Sequence, residues 1–178
     1  MSTSVRTIGV AVAIPEPWAT QLQDYRARLG DATASMIPTH ITLVPPTEID
    51  SAALDDIEAH LGSVAATVDA FQVHLRGTGS FRPVSPVVFV AVVEGISSCE
   101  QLASAVRRGP LEVDLSFPYH PHVTVAHDLP EAALDRAFEE LAEFDCRFEV
   151  DDFHLYVHDE QDGWRPTRDF ALRSAARR

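Results

Sequence analysis

The chain has 178 residues, 46% of them hydrophobic, 23% charged and 8% aromatic. That is the composition of a globular chain with a sizeable core, long enough for one domain or two small lobes. Fourteen basic residues, all of them arginine, stand against 27 acidic ones for a formal charge of −13; this excludes the many cation–phosphate contacts that long DNA or RNA requires, and the missing lysine excludes a Walker-type phosphate loop, a Schiff base and a lysyl-adenylate.

The first residues lead straight into a strand pattern without a signal-peptide layout, so a cytoplasmic protein is expected. Ile8, Val10, Val12 and Ile14 alternate with the small Gly9, Ala11 and Ala13, which predicts a strand ending at Pro15. Trp18, Leu22, Tyr25 and Leu29 recur at helical spacing and predict a helix over 16–29, stopped by Gly30. Ile37 to Val44 reads as a strand closed by Pro45-Pro46, and Asp50 as the cap of a helix that buries Leu54, Ile57 and Leu61. Phe71, Val73 and Leu75 alternate with Gln72, His74 and Arg76, a half-buried strand. Val87 to Val93 is a further strand and the longest apolar run, too short to cross a bilayer, so no membrane partner is expected. A helix over 97–108 follows. It carries Cys99, which with Cys146 is too little for a zinc–thiolate site or a disulfide framework, so both are expected in the core. His120 to Ala126 is a strand, Pro130 opens a helix with Leu134, Phe138 and Leu141 inward, and a strand returns from Phe148.

This order of elements occurs twice, at an offset of about 80 residues (Thr7 to Val87, His40 to His122, Asp50 to Pro130). It predicts one α+β domain over 1–178 with two pseudo-symmetric lobes, approximately 1–80 and 81–172. The Gly- and Pro-rich stretch 77–86 is the expected hinge, and 173–178 the expected frayed basic tail.

Each half carries the same short pattern: Thr39-His40-Ile41-Thr42-Leu43 and Pro121-His122-Val123-Thr124-Val125. Residues two apart on a strand share a face, so each pattern sets a His beside a Thr, anchored by apolar residues behind. From composition alone, two such patterns fall in roughly one chain in fifty. A neutral His takes a proton near pH 7 and a charged one gives it, so two of them form an acid–base pair, and a Thr hydroxyl can donate to a phosphoryl oxygen.

The doubled His–apolar–Thr–apolar pattern resembles the 2H phosphoesterase superfamily, which includes bacterial 2′-5′ RNA ligase-like proteins and 2′,3′-cyclic phosphodiesterases. The resemblance covers most of the chain. It implies a bilobal α+β fold, two pseudo-symmetric lobes of antiparallel sheet with outer helices around a central cleft. His40 and His122 would face one phosphate there, with Thr42 and Thr124 holding its oxygens. It further implies hydrolysis of a small cyclic (2′,3′-type) or 2′-5′ nucleotide phosphodiester, with no metal and no cofactor. The expected partner is a small nucleotide or short oligonucleotide and no long nucleic acid, which favours phosphoesterase chemistry over ligation. A monomer is expected because the cleft is built within one chain.

Weaker substrate-binding candidates are Tyr119 and His120 beside the second motif, Arg82 in a loop, and His74 and Tyr156 on polar strand faces. Arg165 could also reach a phosphate, and Trp164 and Phe81 could stack on a base. Two other readings stand beside the phosphodiesterase: a nucleotide-binding module using the same cleft without turnover, and a metal enzyme in which His120 and His122 share an ion with His154 or His158.

Overall fold

The computed structural model describes residues 4–174. Its elements are β1 (Val5–Ala13), α1 (Trp18–Leu29), β2 (His40–Asp50), α2 (Leu54–Ala65), β3 (Phe71–Ser80), β4 (Val87–Glu94), α3 (Ile96–Val106), β5 (His122–His127), α4 (Glu131–Glu140), β6 (Asp145–Val150), β7 (Asp152–Asp159) and β8 (Gly163–Ala171). The strands form two four-stranded antiparallel sheets, ordered β2-β1-β7-β8 and β5-β4-β3-β6. Each sheet thus carries a motif strand at one edge, β2 or β5, with the first strand of its repeat, β1 or β4, beside it. Helix α1 packs on β5 and α3 on β2, so the helix of each repeat leans on the motif strand of the other.

The sheets do not divide the chain at residue 80. Strand β3 of the first repeat pairs with β4 and β6 of the second, and β7 of the second pairs with β1 of the first. The two repeats exchange their third strands, and one apolar cluster runs through both, from Ile8 and Leu43 to Val90, Val125 and Phe153. The expected hinge is correspondingly shorter: β3 runs to Ser80, and a turn over 81–86 joins it to its antiparallel neighbour β4.

Local departures from the sequence expectation have physical causes. Strand β2 continues through Pro45-Pro46 to Asp50; as the edge strand of its sheet it can place residues without an N–H there, and its register with β1 shifts at that point. Asp50 does cap, but it caps a 3₁₀ turn at 51–53 by accepting from the Ala52 N–H at 2.9 Å, and α2 starts after it. Phe138 on α4 is 40% exposed, and Leu134 and Ala137 fill the inward face instead. The segment after Phe148 is three strands and not one, because the chain changes sheet between β6 and β7 and then turns back at Gly163. Arg173 is no frayed tail: it pairs with Asp69 through a parallel bridge and a 2.8 Å ion pair, while 175–178 of that expected tail lie outside the described residues. Cys99 and Cys146 are buried free thiols, as expected.

Candidate active site

Strands β2 and β5 pack against each other, bringing the two motifs together. The residues behind them are wholly buried: Ile41 and Leu43 in one, Val123 and Val125 in the other. His40, Thr42, His122 and Thr124 are only half-buried, facing away from that core. The strand alternation that the sequence predicts is therefore present in both motifs.

The two imidazoles are held in the same way. His40 Nδ1 lies 2.6 Å from the Pro38 carbonyl oxygen, and His122 Nδ1 lies 2.7 Å from the His120 carbonyl oxygen. A carbonyl only accepts, so Nδ1 carries the proton in each and Nε2 is left for chemistry. Burial lowers the pKa of both rings. For His40 the buried Arg26 guanidinium adds to this, and for His122 the charges of His120 and His40 do; the carbonyl bonds partly oppose the shift in each. That His40 acts on the titration of His122 places the two rings within electrostatic range.

The two lobes are tied at the site. Tyr119, three residues before His122, donates its hydroxyl to the Thr42 carbonyl oxygen at 2.6 Å, and the Arg107 guanidinium sits 5.2 Å from its ring centre. Burial pushes the Tyr119 phenol well above its usual range, so it remains a donor. Tyr119 is thus a tether between the motifs. His120 supplies its carbonyl to His122, and its own ring lies 6.0 Å from the His122 ring.

Other candidates are placed elsewhere. The Arg82 guanidinium is bound to Glu131 at 3.0 Å and Asp135 at 2.8 Å, both on α4, so its charge is already matched by two carboxylates. His74 is buried, and its Nε2 lies 2.8 Å from Asp145 on β6. Arg165 pairs with Asp162 on the surface, and His154 lies 3.5 Å from Asp152. Among the described residues no group of three or more His, Cys, Asp or Glu side chains is arranged to hold a metal ion, so His120 and His122 do not gather a third ligand from His154 or His158.

Two features were not foreseen. Arg26 is only 4% exposed, on the inward face of α1, and Asp31 receives both its Nε, at 3.1 Å, and its Nη2, at 2.8 Å. Its position in the helical stripe, four after Leu22, was the available signal. The second is an aromatic wall around His122: Phe81 stands edge-on at 4.9 Å between centroids, and Phe89 lies at 5.3 Å. His40 has no such wall. It opens instead on a cavity of about 170 Å³ lined by Thr42, Gly9, Val44, Tyr156 and Trp164 among others.

The sequence model of the 2′-5′ RNA ligase superfamily matches residues 14–162. A Geobacillus sp. (strain WCH70) protein described as “Putative phosphoesterase” is 32% identical over 142 residues, covering 79% of this chain and 81% of its own. A Geobacillus kaustophilus protein of the same description is 29% identical over 158 residues, covering 88% and 90%. Among solved structures, Escherichia coli LigT in apo form overlays with a TM-score of 0.69 at 19% identity, covering 96% of this chain and 99% of that one. The Thermus thermophilus protein TT0787 does so with a TM-score of 0.69 at 21% identity, covering 96% and 100%. LigT has also been solved with 3′-AMP, with ATP and with NADP+. The fold and the doubled motif define a two-histidine phosphoesterase of the LigT type. The chain belongs to the 2′-5′ RNA ligase (2H phosphoesterase) superfamily.

Proposed function

We propose that this chain is a metal-independent phosphodiesterase that hydrolyses a small cyclic (2′,3′-type) or 2′-5′ nucleotide phosphodiester through His40 and His122. The observation that carries the reading is the matched pair of carbonyl-anchored imidazoles, each with Nδ1 occupied and Nε2 free. One neutral imidazole takes a proton from water at Nε2 as the water oxygen attacks phosphorus. The phosphorus–ribose oxygen bond breaks, and the departing oxygen takes its proton from Nε2–H of the other, protonated imidazole. Thr42 and Thr124 donate to the non-bridging oxygens, where charge builds in the transition state. Tyr119 acts through its backbone tether and so is a positioning residue. The nucleotide complexes of LigT support a substrate of nucleotide size.

The test is hydrolysis of the four nucleoside 2′,3′-cyclic monophosphates in excess EDTA. Turnover that survives chelation is expected, and the product isomer identifies the ester bond broken. Activity abolished by EDTA and restored by a divalent ion would replace this reading with a metal enzyme. Saturable binding without turnover would replace it with a nucleotide-binding module.

A further inference from the structure

The two halves of the site are related by their strand registers, and the registers expose a difference in what lies beside each motif. In the first sheet Ala13 pairs with His40 and Ala11 with Thr42; in the second Ala91 pairs with His122 and Phe89 with Thr124. Directly paired residues of antiparallel strands project to the same face, so Ala11 and Phe89 hold equivalent places beside the two threonines. Two residues earlier, Gly9 stands where the second sheet has Val87. The next strand compensates in each case: Gly79 pairs with Phe89, whereas His154 pairs with Ala11 and Tyr156 with Gly9. A Cβ on Gly79 would come within 2.5 Å of the Phe89 ring, so the glycine is the space into which that ring fits. Beside His122 the phenylalanine fills the floor of the cleft. Beside His40 the small residues leave it open, and this opening is the cavity described above.

The walls of the opening are aromatic and apolar. Tyr156 is only 6% exposed, and Trp164 lies over the Gly9 backbone, since a Cβ there would sit 3.5 Å from its Cζ3. Neither an arginine nor a carboxylate lines the cavity. A site of this kind takes a flat, uncharged, aromatic group whose connecting chain carries the charge outward. The His40 imidazole and Thr42 hydroxyl stand at its edge, where that charge would be.

We propose that the space between Gly9, Tyr156 and Trp164 receives the nucleobase of the substrate, so that every productive substrate lies with its base on the His40 side and only phosphate and ribose reach His122. This rests on the nucleotide-phosphodiester reading above and adds a fixed substrate polarity to a pseudo-symmetric pair of histidines. The base-filling side of the molecule is set by three small or aromatic residues that lie outside both motifs.

The experiment is calorimetric binding of adenosine 2′-monophosphate and of D-ribose 5-phosphate, which carries a phosphate on the same sugar without a base. It is run on the wild type, on Gly9→Ala and on Trp164→Ala. The alanine at position 9 meets only ordinary contacts, at 3.5 Å and beyond, so its methyl narrows the opening without forcing the strand apart. Circular dichroism confirms the fold of each variant. The wild type is expected to prefer the adenosine nucleotide at least tenfold, and both variants to bring that ratio to within about threefold. In a Trp18→Phe background, adenosine 2′-monophosphate quenches the fluorescence of Trp164 and ribose 5-phosphate does not. A wild-type ratio near one, a ratio unchanged in both variants, or quenching by both ligands alike would overturn the proposal. The two readings fail separately. Cyclic-phosphate turnover with a ratio near one removes the base site and leaves the reaction. A large, Gly9-dependent ratio without turnover removes the reaction and leaves the base site.

Discussion

At the scale of single residues, the site depends on two imidazoles that titrate lower than usual. Burial leads the shift in each, and Arg26 reinforces it at His40. The reaction needs one ring neutral and one protonated, so kcat/KM peaks between the two pKa values. Both lie below the ordinary value near 6.5, and a bell with its maximum on the acid side of about pH 6.5 is expected in the pH–rate profile. A maximum above pH 7.5 would contradict the depressed pair. The Arg26–Asp31 contact has a different role, that of a buried ion pair whose side chains are 5% and 8% exposed. Asp31→Ala strands the guanidinium and removes the acceptor of the Thr33 N–H and hydroxyl, so a loss of about 3–5 kcal/mol in urea denaturation is expected. Of these residues the His–Thr pairs were legible in the sequence, because strand alternation and a repeated pattern both mark them. Arg26 was not: its spacing from Leu22 and Leu29 places it inward, but an arginine reads as surface until its partner is known.

At the scale of elements, the packing of β3 against β4 controls one histidine. Gly79→Ala drives a methyl into the Phe89 ring, and that ring lies against His122 at 5.3 Å. A loss of about 1–3 kcal/mol from overpacking is expected, together with reduced turnover. Gly79→Ala/Phe89→Leu, which returns the space, should regain most of both; a double variant as impaired as the single one would show that Gly79 acts by some other route. The strands and helices themselves were readable from periodicity and caps, as the Gly30 stop shows: it ends α1 at φ +107°. Their partners were not. Nothing within Phe71–Ser80 says that it joins the strand after it, and Pro45-Pro46 reads as an end until β2 is known to be an edge.

At the scale of the whole molecule, exchange of β3 and β7 makes each sheet depend on strands from both repeats. The expected lobes at 1–80 and 81–172 therefore cannot unfold one at a time without breaking the other's sheet. Coincident denaturation curves from Trp164 fluorescence and far-ultraviolet circular dichroism are expected, where two separated transitions would contradict that dependence. The repeat was visible in the sequence as an offset of about 80 residues, but an offset carries no information on which copy a strand joins. The charge of −13 also acts at this scale. A single-stranded RNA of thirty nucleotides is expected to bind no more tightly per site than a dinucleotide at low salt, because the surface has no excess of cations to release counterions.

The central claim is that His40 and His122 move protons and do not merely hold phosphate. It is tested most directly by measuring kcat on a nucleoside 2′,3′-cyclic monophosphate in EDTA, and Kd for the corresponding 2′-monophosphate, in His40→Ala and His122→Ala. The account predicts a fall of about 10²- to 10⁴-fold in kcat for each variant, with Kd changed by less than tenfold. Two variants that lose affinity and turnover in equal measure, or either one that keeps wild-type kcat, would contradict it.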